Sequence, residues 1–320
     1  MNFVSKCAGS LMHACKGQRF QRFTVFSMLL LALSVCAFAQ DATMVGTVTD
    51  PSGSVVPNVT VAVTQVETGK TTTVKSSADG QFAIPTLQIG NYNLKAEASG
   101  FGVAEKKGIV LNVGDRLRVD IAMKLGTATE SITVEENAVK VQSETGEVSD
   151  VITGKQVTQL ATNGRSIYTL VNLTPGASSL QGDFQTPTPV GGDANVSFNG
   201  NRPGHNLYML DGGENLDRGG AGTFSVMPSI DSIAEFRALT SSYSAEYGLS
   251  SAGTMTTVLK SGTNSLHASG WEFDRNDWFN ARDFTHPKGG SIQELRFNTY
   301  GFNVGGPVDF WKKDHKTFFF

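Results

Sequence analysis

The side chains best equipped for chemistry are few, and their spacing matches no catalytic apparatus. Asp211-Gly212-Gly213-Glu214-Asn215-Leu216-Asp217 gathers three carboxylates and an amide in a Gly-rich loop, an oxygen-rich set that a hard cation can use. The spacing is not that of an EF-hand, and a solvated polar loop is the better reading. The five histidines are scattered at 13, 205, 267, 286 and 315, and each reads as a surface residue rather than a ligand. Cys7, Cys15 and Cys36 all lie within the first 40 residues. No P-loop, H-E-x-x-H, G-x-S-x-G or dinucleotide fingerprint is present. The sequence is therefore read as that of a non-enzyme that takes no cofactor and no metal.

One further run offers backbone rather than side-chain chemistry. Thr129-Glu130-Ser131-Ile132-Thr133-Val134-Glu135 stands in a polar, Glu- and Thr-rich connector over residues 126–146. A short β-prone run in such a setting can add as a strand to an exposed sheet edge of another protein, main-chain bonds supplying the affinity. An ordinary last strand or plain linker is the competing reading.

The elements that must position these residues follow from pattern. The first 40 residues hold Lys6, Lys16, Arg19 and Arg22 with no acidic residue, then an apolar run from Phe23 to Ala39. That reads as a secretory signal over residues 1–39, Ala37 and Ala39 forming the cleavage signature before Gln40. A retained anchor is disfavoured because the run is short against the ~20 residues a span needs. Leu33-Ser34-Val35-Cys36 resembles a lipoprotein cleavage box except for the bulky Val35. Removing the four basic residues leaves 22 positive against 29 negative side chains, with no basic stretch, so nucleic acid is not an expected partner. Thirty-five glycines and few long Leu/Ala/Glu/Lys stretches favour strands over helices.

Between residues 41 and 125, alternating runs recur at Val45–Val48, Asn58–Val63, Thr71–Val74, Gln81–Ile84, Tyr92–Ala96, Ile109–Val113 and Arg118–Met123. Turn residues such as Pro51-Ser52-Gly53, Asp79-Gly80 and Gly90 separate them. Seven strands at this spacing predict a β-sandwich, with Val48, Val61, Phe82, Ile84, Leu94 and Ile121 in its core. The wording Gly46-x-Val48-x-Asp50-x-x-Gly53, Ala78-Asp79-Gly80-x-Phe82, Leu87-x-x-Gly90-x-Tyr92-x-Leu94 and Ser99-Gly100-Phe101 resembles the carboxypeptidase regulatory-like domain. The resemblance implies a transthyretin-like sandwich and no peptidase activity.

Over residues 147–262 short helical and strand-like pieces alternate. Val151–Leu160 is predicted as a helix ending near Asn163-Gly164, Asn195–Asn199 and Asn206–Asp211 as a strand pair, and Ser232-x-x-Glu235 as a capping box. Asn163-Gly164-Arg165, Leu173-Thr174-Pro175-Gly176, Phe198-Asn199-Gly200-x-Arg202, Leu210-Asp211-Gly212, Ile233-x-Glu235-Phe236, Tyr243-Ser244-Ala245-Glu246-Tyr247-Gly248, Gly253 and Thr257-Val258-Leu259-Lys260-Ser261-Gly262 follow in order. Together they resemble the plug domain of TonB-dependent outer-membrane receptors, in the Oar-like group. Ala161-Thr162 departs from the pattern, relatives often carrying proline there. The resemblance marks Arg165, Arg202, Asp211, Glu235, Tyr247, Gly248 and Lys260 as plug-motif residues. It makes Glu130, Ser131, Ile132, Thr133 and Val134 similar to a TonB box. Arg165 and Arg202 are read either as buried against barrel carboxylates or as surface arginines.

From residue 263 aromatic strands alternate, at Leu266–Phe273, Phe297–Val304 and Lys316–Phe320. Tyr300, Phe302 and Val304 share one face, suited to lipid, and Trp271, Trp278, Phe279, Tyr300 and Trp311 suit aromatic girdles. Residues 263–320 allow only ~3 to 5 membrane strands, whereas the smallest bacterial barrels have about eight. The fold expected is mainly β: sandwich, α+β plug and the first strands of an incomplete transmembrane β-barrel, a piece of a larger receptor.

That reading implies outer-membrane lipid around the complete barrel, a TonB-type energy-coupling protein as partner, and an extracellular ligand such as carbohydrate or peptide. Export places the chain at the outer membrane, or in the periplasm if these residues stand alone. The alternative is a secreted or surface β-sandwich used for binding or adhesion, without transport.

Overall fold

Alternating burial organises the chain into sheets. The computed structural model describes residues 42–126, 131–135, 144–160, 165, 167–179, 196–219, 223–279, 281, 294–308 and 317–320, with only the backbone considered over 131–135. The signal segment, the three cysteines, Glu130, Asn163-Gly164, His286, Trp311 and His315 lie outside the described residues.

Among the described residues nine strands belong to the first part: β1 Ala42–Thr49, β2 Thr60–Gln65, β3 Thr71–Lys75, β4 Gln81–Leu87, β5 Gly90–Glu97, β6 Val103–Leu111, β7 Arg116–Arg118, β8 Ile121–Ala122 and β9 Ser131–Glu135. One sheet has the order β4-β1-β7, with β8 also on β1, and the other has the order β3-β2-β5-β6-β9. β1 alternates buried and half-buried residues along its whole length, as a strand with one core face must. Val48, Val61, Phe82, Ile84, Leu94 and Ile121 all lie in the cluster between the sheets. Gly80, at φ +67°, turns the chain where an added Cβ would stand 2.8 Å from the Val48 carbonyl oxygen, so the Asp79-Gly80 turn has no room for a side chain.

Two sandwich strands differ from the sequence pattern. The run expected at Ile109–Val113 begins six residues earlier, at Val103, because pairing with β5 carries it across the polar Glu105-Lys106-Lys107 stretch. Arg118–Met123 is divided into β7 and β8, both parallel to β1. Between them Val119 N–H donates to the Val45 carbonyl.

The second part contains β10 Val148–Thr153, helix α1 Gly154–Gln159, β11 Ala177–Ser179, β12 Val196–Phe198, β13 Leu207–Leu210, β14 Gly213–Glu214, β15 Leu216–Asp217, β16 Thr223–Phe224, β17 Ile233–Ser241 and β18 Thr254–Leu259. Its main sheet has the order β10-β17-β18-β13-β14, over a core that includes Phe198, Tyr208, Phe236 and Met255. Three expectations are corrected here. The helix placed at Val151–Leu160 is a strand up to Thr153, since Val151 and Ile152 pair with Arg237 and Phe236; only Gly154–Gln159 is helical. Thr153 and Gln156 form the capping box instead, the Thr153 hydroxyl accepting from Gln156 N–H and the Gln156 amide oxygen from Thr153 N–H. The Ser232 box is absent, because Ile233 already opens β17 and the Ser232 hydroxyl donates to the Ser229 carbonyl at 2.7 Å. The two strands around Gly200 do not pair with each other: β12 pairs with β11, and β13 with β14 and β18.

The third part holds β19 His267–Asn276, β20 Arg296–Pro307 and β21 Phe318–Phe319, in one antiparallel sheet. Along β20 exposure alternates, with Tyr300 78% and Phe302 80% exposed. This is the two-faced pattern of a membrane strand. The described residues form no closed barrel, and none of their helices is long and apolar enough to cross a membrane.

Candidate functional site

The β-prone run of the connector is a strand, and it is occupied. β9 lies parallel to β6, with Val103 opposite Ser131, Ala104 opposite Ile132, Glu105 opposite Thr133, Lys106 opposite Val134 and Lys107 opposite Glu135. The chain is led to that edge by residues 124–126. Gly102 N–H donates to the Lys124 carbonyl at 2.9 Å, Gly126 N–H to Gly100 at 3.4 Å, and Phe101 bridges Leu125. β9 is thus added to a sheet of its own chain through main-chain pairing.

A second site lies where the sandwich meets the main sheet of the second part; of the plug-motif residues it holds Glu235, with Tyr247 at its border, while its central Arg237 belongs to no motif. Arg237, in mid-β17, is 2% exposed. Its Nη1 donates to the Val113 carbonyl at 2.5 Å and lies 3.7 Å from the Asp115 carboxylate. Its Nη2 donates to Ser149 Oγ at 3.0 Å and stands 3.3 Å from Glu147. Glu235, two residues earlier on the same face, accepts from Val113 N–H. The turn carrying Val113 and Asp115 joins β6 to β7 and has Gly114 at φ +65°, where a Cβ would stand 3.0 Å from Arg237 Nη1. One cation therefore holds a sandwich turn and the entry to β10 together, and such a group must be paired to be tolerated. The legible signal was the pair Glu235 and Arg237 inside an otherwise apolar β run.

Tyr247 borders this cluster. Its phenol is pushed up to about 12, first by burial and then by Glu246, with Glu147 adding to the rise and Arg237 opposing it. Its ring meets Tyr243 edge to face at 6.4 Å, and Gly248 closes the short turn by donating to Ala245.

A third group joins the second and third parts. Arg165 pairs with Asp231 at 2.6 Å and lies 3.6 Å over the Phe273 ring of β19, a close cation–π arrangement. Lys260 Nζ donates to the Asp231 carbonyl at 2.7 Å. Arg165 and Lys260 are thus brought together at Asp231, whereas Arg202 is exposed. The Asp211 loop uses its oxygens internally. Asp211 accepts from Leu259 N–H, Glu214 pairs with Arg218, Asn215 bonds the Val226 backbone and Asp217 accepts from Gly219. Among the described residues no cluster has the donors to hold a metal ion. A cavity of about 550 Å³ opens among the three parts, with Glu67, Asn112, Glu235, Lys260 and His267 in its wall.

Comparison with known proteins gives this arrangement a context. Residues 43–124 match the carboxypeptidase regulatory-like domain, and residues 258–320 match an outer membrane beta barrel domain. These two matches, in this order, support an outer-membrane β-barrel protein with a sandwich ahead of its barrel. The chain is 27% identical over 297 residues to the TonB-dependent transporter Oar of Myxococcus xanthus, covering 88% of this chain and 26% of that one. It thus spans about a quarter of the length of the curated relative it matches. Solved structures with partial likeness include the siderophore receptor PirA of Acinetobacter baumannii, at 21% identity, 52% of this chain, 23% of that chain and TM-score 0.36. Another is the outer membrane transporter YddB of Escherichia coli, at 15% identity, 49% of this chain, 24% of that chain and TM-score 0.37. The sequence matches alone, to the outer membrane beta barrel domain and to the Oar transporter, make the chain similar to TonB-dependent receptors and support an outer-membrane location.

Proposed function

We propose that the chain forms the sandwich, plug and first barrel strands of a TonB-dependent transporter, in which residues 131–135 are the segment gripped by a TonB-type energy-coupling protein. On this reading residues 147–262 close the barrel, and a pull on the connector loosens them to admit an extracellular ligand such as a carbohydrate or peptide. The observation that carries the reading is β9 itself, a short extended segment between sandwich and main sheet that already engages a sheet edge through its main chain. Support for a plug role comes from Arg165, which pairs with Asp231 and lies over the Phe273 ring of β19, and from Lys260, which donates to the carbonyl of the same Asp231.

The test is Ile132→Pro and Val134→Pro in the full-length receptor. Proline removes a backbone donor and disrupts strand addition. Both changes are expected to abolish energy-dependent uptake while leaving outer-membrane assembly intact, and unchanged uptake in both overturns the assignment of residues 131–135.

A further inference from the structure

We infer that the outer edge of β6, residues 103–107, is a strand-binding site of the sandwich whose ligand is the coupling segment itself, so that an energy-coupling partner must take the segment from this site. The inference rests on the proposed role of residues 131–135 for the identity of the competitor, but the binding site stands on separate observations.

In the sheet order β3-β2-β5-β6-β9, β6 would be the terminal strand without β9. Its outward N–H and C=O groups would then form a bare edge, the feature that recruits foreign strands. β9 covers that edge over five consecutive register pairs. Three of its residues, Ile132, Thr133 and Val134, are β-branched and suited to an extended backbone.

Delivery of the segment is also built in. Lys124 and Gly126 are bonded to Gly102 and Gly100, immediately before β6 begins. Only residues 127–130 separate this clamp from β9. So short a tether gives an effective concentration on the order of millimolar. A partner strand of equal intrinsic affinity, present at micromolar concentration, therefore loses the contest by about a thousandfold. Its apparent affinity falls by the fraction of segment that is free. The sandwich on this view holds the coupling segment in reserve, and whatever loosens β9 raises the partner's access.

A disulfide tests this directly. Neighbouring strands lie ≈ 4.7–4.9 Å apart, within the reach of a disulfide between register partners. Glu105→Cys and Thr133→Cys are introduced into the chain with Cys7, Cys15 and Cys36 changed to Ser, and Glu105→Cys with Glu135→Cys serves as the off-register control. Mild oxidation should cross-link the first pair at least tenfold faster than the control, and hydrogen exchange of the parent should show the amides of both 103–107 and 131–135 protected. Oxidised protein should then bind the purified periplasmic domain of the host's TonB-type protein at least tenfold more weakly than reduced protein.

Absence of both the cross-link and the protection overturns the strand site. A cross-linked chain that binds the domain as tightly as the reduced one overturns the competition. If the cross-link forms and neither state binds, the coupling role of residues 131–135 fails while the strand site stands.

Discussion

Replacing Arg237 with Met is the perturbation that best exposes how the sandwich is held to the rest of the chain. The methionine keeps much of the aliphatic volume but withdraws the guanidinium from the Val113 carbonyl at 2.5 Å, from Ser149 Oγ, and from Asp115 and Glu147 at 3.7 and 3.3 Å. The Asp115 and Glu147 side chains, 2% and 10% exposed, are left buried without this cation. Removing one partner of a buried ionic group costs about 3–5 kcal/mol, most of it from the stranded charge. That is two to four decades in the folding equilibrium and a large share of a total stability of about 5–15 kcal/mol. Denaturant titration of the full chain measures the loss. Hydrogen exchange should place it at the turn of Asn112 to Asp115, where Val113 N–H is held by Glu235 across the junction. Adding Asp115→Asn and Glu147→Gln to the Met variant should recover more than half of the loss, because the stranded charges are then gone. A Met variant within about 0.5 kcal/mol of the parent, the scatter of ordinary surface changes, refutes the reasoning. So does a triple variant that is weaker than the single.

Three further outcomes follow from packing and titration. Phe82→Ala removes a ring buried in the sandwich core against Gly46 and should cost about 3–5 kcal/mol, read as a lower denaturation midpoint; melting like the parent would place the core elsewhere. Gly253→Ala puts a Cβ 2.2 Å from the Phe198 ring, so it should cost about 1–3 kcal/mol as overpacking, and Phe198→Leu should relieve part of that cost in the double variant. Tyr247 has a phenol pKa raised from 10.0 to about 12 in the fold. Its stabilising contribution is therefore complete below pH 10 and is lost as pH rises towards 12. In a pH series of unfolding midpoints, Tyr247→Phe should show a shallower decline across that window than the parent.

The sandwich was legible because its signals are local. Strand alternation, Asp79-Gly80 and Gly90 each specify backbone geometry within a few residues, and the six expected core side chains are buried together. The start of β6 is not legible in the sequence because Glu105-Lys106-Lys107 carries no apolar alternation, and its pairing with β5 and β9 keeps it extended. Val151 and Ile152 fit a helix by spacing, but the neighbouring strand β17 claims them, a tertiary preference that no local pattern records. The partners of Arg237 come from residues 113, 115, 147 and 149, so the cluster exists only once the sandwich and main sheet are apposed. Arg165 carried a motif, yet its partners Asp231 and Phe273 lie 66 and 108 positions away. For β9 the β propensity was readable, but the edge it would choose was not.

The central proposal, that an energy-coupling partner grips residues 131–135 as a strand, is tested most directly by a cysteine scan of residues 129–136 in the full-length protein, cross-linked to cysteines in the periplasmic domain of the host's TonB-type protein. A gripped strand should cross-link with a period of two along Ser131 to Glu135, the side-chain repeat of an extended backbone, and Ile132→Pro should remove the pattern. Cross-links absent from this segment, or spread over it without alternation, would contradict the account.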